Sequence, residues 1–186
     1  DNGYEAVLSR TAFFPEGGGQ AADTGVIDGI RVYDVQEKGE QIFHYLEGKL
    51  EEGKTVTGQI DWDKRFSRMQ QHSGEHIVSG IVHARFGYDN VGFHLGSENT
   101  TLDFNGELSE EQLLEVERLA NEAVFDDLPV QISYPSKEEL KTLDYRSKIE
   151  IEGQVRLVEI PGVDICACIL HTQCIFHDGL FSDGNV

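Results

Sequence analysis

Over the first sixty residues, apolar positions come in short runs that alternate with polar ones: Ala6-Val7-Leu8, Val26 to Val35, Gln41 to Leu46 and Thr55 to Ile60. A period of two marks half-buried strands, and Asp28-Gly29 and Glu47-Gly48 are turn residues that break the runs into hairpins. With no helical stretch between them, four or more such strands predict a small antiparallel barrel or sandwich ending near Asp61 to Lys64. The texture then changes. Phe66, Met69, Ile77 and Ile81 are spaced for one face of a helix of roughly 65–85, followed by strand-like 91–96 and 100–104. A second helix is signalled by Ser109 as its cap and Gln112 three residues on, with Leu113, Val116, Leu119, Ala120 and Ala123 on its apolar side and Pro129 past its end. A strand at 130–134, a short helix capped by Ser136 and Glu139 and running through Leu143, and a strand at 155–160 complete an α+β second part. The pattern therefore predicts two domains, a β-barrel or sandwich over 1–63 and an α+β domain over 64–186.

The chain has 186 residues, of which 39% are hydrophobic and 26% charged, the proportions of an ordinary globular protein rather than a disordered one. No apolar run approaches eighteen residues and no secretory leader is visible, so no membrane partner and a cytoplasmic location are expected. Net charge is −19, from 34 acidic against 15 basic residues, which opposes a phosphate-backbone partner unless cations gather on one face. Lys64, Arg65, Arg68, Arg85, Lys137, Lys141, Arg146 and Lys148 could form such a strip, or could be scattered over helix exteriors.

Two segments carry chemistry. His72 and His76, four apart on the predicted helix, stack two imidazoles on one face where they can share a metal ion, although such pairs also occur as plain surface residues. The cysteines, Cys166, Cys168 and Cys174, cluster with His171 near the far end. An odd number so closely spaced suits metal ligation or burial better than disulfides, which makes a zinc hydrolase the leading reading. Glu75 does not complete the protease signature His-Glu-x-x-His, and His44, His83, Cys166 and Cys174 are read as structural or non-ligating. The second segment, Thr11 to Gln20, holds Gly17, Gly18 and Gly19. Successive glycines let backbone N–H groups approach a ligand, or simply make a tight hairpin connection; the spacing is not that of a phosphate-binding loop.

Taken in order, Phe13-Phe14-Pro15-Glu16-Gly17-Gly18-Gly19-Gln20, Asp23-Thr24-Gly25, Gln71-His72 with His76, Gly92-Phe93-His94-Leu95-Gly96 and Asp164-Ile165-Cys166-Ala167-Cys168 closely resemble the alanyl-tRNA editing family, the free-standing relatives of the editing domain of alanyl-tRNA synthetase. The resemblance runs from about Tyr4 to Cys168. It implies a small β-barrel followed by an editing domain similar to that of threonyl-tRNA and alanyl-tRNA synthetases. It also implies hydrolysis of the ester joining a wrong amino acid, chiefly serine and sometimes glycine, to the tRNA for alanine. One zinc per chain would be held by His72, His76, Cys168 and His171, although His171 lies three residues after Cys168 where the family has four. Three protein ligands and an open position suit the chemistry, since zinc acidifies water to a pKa of roughly 7 and polarises an ester carbonyl. Thr11 and Gln20 are the candidates for recognising the serine hydroxyl and positioning water, and His94 for a role beside the substrate, unless it is a satisfied core residue. Gly17, Gly18, Gly19 and Gln71 are the candidates for substrate binding, Gln71 also for orienting an imidazole. The rival readings are a non-catalytic zinc or tRNA-binding module, a fragment of a longer editing protein or synthetase, and a zinc hydrolase for a small ester or amide.

Overall fold

The computed structural model describes residues 3–96, 99–147 and 154–168, with the side chain of Cys168 left out. Two compact units are present, the first running to Arg68 and the second starting at Met69.

The first unit is one antiparallel sheet of β1 (Tyr4–Val7), β2 (Gly25–Ile27), β3 (Ile30–Lys38), β4 (Gln41–Leu46) and β5 (Gly58–Ile60), in the order β1-β4-β3-β2-β5. The turn between β2 and β3 is built by Asp28 and Gly29 with φ of 49° and 79°, left-handed values that match the twist of a tight hairpin. Alternation along the strands, with a bulge between Val32 and Asp34 of β3 that keeps Val35 on the same side as Val32, sends Ile27, Val32, Val35 and Leu46 to one fully buried face, where Phe13 and Ala22 from the preceding loop close over them. Full burial of a side chain of this kind contributes about 1.5–3 kcal/mol. The sheet is open, which corrects the expected barrel: β1 pairs with β4 and β5 with β2, leaving these two short strands as separate edges. Strands of three and four residues offer too few ladder bonds to carry the tilt and stagger that closure demands.

The helix α1 (Trp62–Phe86) contains the boundary between the units and extends three residues before and one after the span predicted from periodicity. In the second unit follow the hairpin β6 (Asn90–Leu95) and β7 (Thr100–Phe104), α2 (Glu110–Phe125), β8 (Gln131–Ser133), α3 (Lys137–Leu140), β9 (Arg156–Ile160) and β10 (Asp164–Cys168). Both capping boxes form as read from the sequence, Ser109 with Gln112 and Ser136 with Glu139, although α3 stops at Leu140 rather than Leu143. A core of Ile81, Val82 and Val116 joins α1 to α2, and β10-β9-β8 make an antiparallel sheet. Among the described residues every strand pair is antiparallel and no helix is long and apolar enough to cross a membrane.

Candidate metal centre

Residues 72, 75, 76 and 79 recur at helical spacing on α1, so one face of the second unit's helix presents His72, Glu75, His76 and Ser79, all buried. The two imidazoles stack with ring centroids 5.5 Å apart, and Phe93 of β6 packs edge-on against His72 at 5.3 Å. Strand β10 reaches the same place from 88 residues away: Asp164 Oδ2 lies 3.3 Å from His76 Nδ1. The approach depends on Gly80, where an added Cβ would stand 2.5 Å from the Val163 carbonyl oxygen and 2.6 Å from Asp164 Cβ. Two sets of atoms that could hold a metal ion result, His72 with Glu75 and His76, and His76 with Asp164 and Cys166, each set lying within 4.8 Å. Zinc holds nitrogen, oxygen and sulfur donors at 2.0–2.3 Å, so atoms around one ion lie within about 4.6 Å of one another, close to this spacing.

Asp164, His76 and Glu75 are braced by hydrogen bonds. Arg146 Nε and Nη2 donate to the two Asp164 oxygens at 2.7 Å, a bidentate pair held by backbone bonds on both sides: Arg146 N–H donates to the Ile165 carbonyl and Ala167 N–H to that of Arg146, each at 2.8 Å. Burial alone would raise the Asp164 pKa, but the bonds from His76 and Arg146 hold it below the ordinary carboxylate value. Burial likewise opposes charge on Arg146, and the facing Asp164 carboxylate overrides it. An ionised Asp164 makes His76 Nδ1 the donor and leaves Nε2 with its lone pair directed elsewhere, which is the tautomer a metal-binding imidazole requires. Glu75 Oε1 accepts from Ser79 Oγ at 2.8 Å and Asn90 Nδ2 at 2.9 Å, so its orientation is also set. Two imidazoles, a thiol and carboxylates are a donor set suited to zinc.

The sequence-predicted residues are distributed as follows. His72 and His76 come together as expected. Cys168 is the last residue of β10, paired in register with Arg156, and its side chain, like the whole of His171, lies outside the described residues. Gln71 is exposed and accepts from Thr100 Oγ1 at 3.3 Å. His94 is exposed on β6, and the pleat turns it to the face opposite Phe93 and hence away from His72. In the first unit, Gly18 and Gly19 have φ of 59° and 79° and close a two-residue turn, with Gly17 and Gln20 exchanging backbone bonds of 3.1 and 3.0 Å. Thr11 Oγ1 is 2.7 Å from Nε2 of buried His44 and accepts from the Phe13 N–H at 3.1 Å, while His44 Nδ1 donates to the Ala6 carbonyl. Burial lowers the His44 pKa, in keeping with a neutral ring. Gln20 is fully buried, and its side-chain amide has no partner among the described residues.

Residues read otherwise from the sequence are also found among the candidate donors. Glu75, Asp164 and Cys166 join the donor sets, and Arg146, placed in a basic strip, turns inward to Asp164. Arg65 and Arg68 turn inward too: Arg65 pairs with buried Asp23 and Arg68 Nη1 donates to the Ala22 carbonyl at 2.5 Å. The strip therefore loses these three cations. Alternation of Asp164 and Cys166 two apart was the available signal, but it points to a shared strand face only once 164–168 is known to be a strand.

Known sequences resemble this chain along most of its length. Residues 2–64 match the profile of the tRNA synthetases class II (A). An alanyl-tRNA editing protein of Pyrococcus horikoshii is 36% identical over 173 residues, 88% of this chain and 43% of that protein. An alanyl-tRNA editing protein of Mus musculus is 33% identical over 171 residues, 90% of this chain and 42% of its own length. An alanine--tRNA ligase of Ignicoccus hospitalis is 36% identical over 176 residues, 87% of this chain but 19% of the ligase. The chain thus spans less than half of the relatives it matches. Sustained over nearly nine-tenths of its residues and shared with editing proteins and a ligase alike, this likeness means that the chain belongs to the alanyl-tRNA editing family.

Proposed function

We propose that this chain is a zinc-dependent aminoacyl-tRNA deacylase, hydrolysing the ester between a wrong amino acid, serine or glycine, and the tRNA for alanine. The observation that carries the reading is the buried, braced donor group around His72 and His76, in a chain whose relatives are named for alanyl-tRNA editing. His72 and His76 would hold the ion together with Cys166 or Cys168 and with His171. When bound, zinc supplies Lewis acidity toward an ester carbonyl. The chain's own residues do the rest. Asp164 keeps the proton of His76 on Nδ1, Arg146 keeps Asp164 ionised and in place, and Phe93 covers one edge of the His72 ring. For the selection of serine, Gln20 is the better supported of the two loop candidates. Its buried amide offers a donor and an acceptor that no described residue uses, whereas the Thr11 hydroxyl is already bonded to His44. A site built to bond a hydroxyl discriminates strongly against an analogue lacking it.

The burial of His72, Glu75, His76, Asp164 and Cys166 alike favours a second reading, in which the ion is structural and the domain binds tRNA without cleaving it. One experiment separates the two: elemental analysis of protein purified without added metal, with deacylation of serine-charged tRNA for alanine measured before and after chelation and zinc return. About one zinc per chain with chelator-sensitive, zinc-restored hydrolysis supports the enzyme. Stoichiometric zinc with no hydrolysis supports the structural role.

A further inference from the structure

The first unit carries a cavity of about 760 Å³ whose lining includes Arg10, Thr11, Phe13, Lys54, Gly58 and Trp62. Its charge stands against that of the whole molecule. Acidic residues number 34 in 186, yet none lines this cavity, and two cations do. A second cavity, in the second unit, carries four acids, Asp89, Asp144, Glu159 and Asp164, against Arg146 and His83. Arg10 is exposed and forms no ion pair among the described residues. Lys54 pairs with Glu51, but both side chains are more than half exposed, so the pair is weak and the ammonium is free to turn toward an anion. Trp62, the chain's single tryptophan, is 51% exposed and leans on Phe66 with ring centroids 6.1 Å apart, an apolar shelf at the cavity rim. The absence of a side chain at Gly58 shapes the wall, because a Cβ there would come within 2.9 Å of the Phe13 ring.

We propose that this cavity binds a phosphate-bearing nucleotide of a single-stranded RNA, with the base stacked on Trp62 and the phosphate held by Arg10 and Lys54. An open aromatic face beside exposed cations is the recognition chemistry of single-stranded nucleic acid, tolerant of base identity because every base has a stacking face. An acid-free patch also locally relieves the repulsion that a net charge of −19 imposes on a phosphate. The site does not rest on the proposed hydrolysis, since a nucleotide carrying no aminoacyl ester should occupy it.

The single tryptophan makes the test direct. Tryptophan emission of the chain, without added metal and at low salt, is followed during titration with adenosine monophosphate, with a single-stranded tri-ribonucleotide and with inorganic phosphate. Saturable quenching by both nucleotides is expected, tighter for the trinucleotide and undisplaced by equimolar phosphate. Arg10→Ala should raise the dissociation constant roughly tenfold, in line with the loss of a charge-assisted contact, and Trp62→Leu should do so comparably when binding is followed by equilibrium dialysis. Arg10→Lys should recover part of the loss. The absence of saturable quenching, displacement by phosphate alone, tighter binding of the mononucleotide than of the trinucleotide, or an unchanged dissociation constant in Arg10→Ala would each overturn the proposal.

Discussion

The brace behind His76 gives a prediction whose parts can be measured separately. Asp164→Asn keeps the shape of the side chain and an oxygen that can accept from His76 Nδ1, but removes the negative charge that faces Arg146 at 2.7 Å. Removing the carboxylate partner of a metal-binding imidazole weakens metal affinity 10- to 100-fold, or about 1.4–2.8 kcal/mol. Folding stability is a separate quantity. Stripping one partner from a buried ion pair costs about 3–5 kcal/mol, and the Arg146 side chain, 11% exposed, places this pair toward the lower end. Metal-free stability is read from urea unfolding and zinc affinity from competition with a chromophoric chelator, so the two losses are not confused. The pH dependence has a definite sign. A carboxylate whose folded pKa lies below its unfolded value, near 3.8, contributes stability that is present above that value and is lost as pH falls through the lower folded pKa. The gap between parent and Asp164→Asn should therefore be full at pH 7 and shrink below about pH 3.8. A folded variant that binds zinc as tightly as the parent would refute the positioning role, and a loss beyond about a thousandfold would make Asp164 a direct ligand instead.

Three further outcomes are expected. Arg65→Met leaves the Asp23 carboxylate buried without its guanidinium and the Ala12 carbonyl without its donor, and should cost about 3 kcal/mol or more in urea unfolding; a loss under about 1 kcal/mol would show that the pair contributes little beyond what a methionine supplies. Gly80→Ala drives a methyl into the Val163 carbonyl and should destabilise by about 1–3 kcal/mol, whereas Gly74→Ala, six residues earlier on α1 with nothing within 4 Å of its added Cβ, should stabilise by about 0.5–1 kcal/mol; equal signs for the two would contradict the close approach of β10. Burial lowers the His44 pKa, so protons favour the unfolded chain as pH drops below the ordinary value of 6.5: stability should be level above that pH and fall beneath it, and His44→Gln should flatten this part of the profile when unfolding free energies are compared from pH 8 to pH 5.

What could be read directly from the chain was local. The helix around His72 and His76, the capping boxes at Ser109 and Ser136, and the Asp28-Gly29 turn rest on contacts within a few residues, and each appears with bounds close to those the pattern predicts. The order of the motifs from Phe13 to Cys168 was enough to reveal the family, because five short patterns in sequence are far more specific than any one. The sequence also sufficed to pick out the histidine pair, since a helix fixes the geometry of positions four apart. The tertiary structure decided the rest. Whether the first sheet closes depends on whether β1 and β5 find each other, and no local pattern encodes a pairing across fifty residues of chain. The partners of His76 come from 88 residues away, and Arg146 looks in sequence like any exposed cation until a backbone bridge to β10 turns it onto Asp164. Spacing along the chain determines which side chains share a face, but which faces meet, and so which donors surround one point in space, is set by the burial of apolar surface across the whole unit.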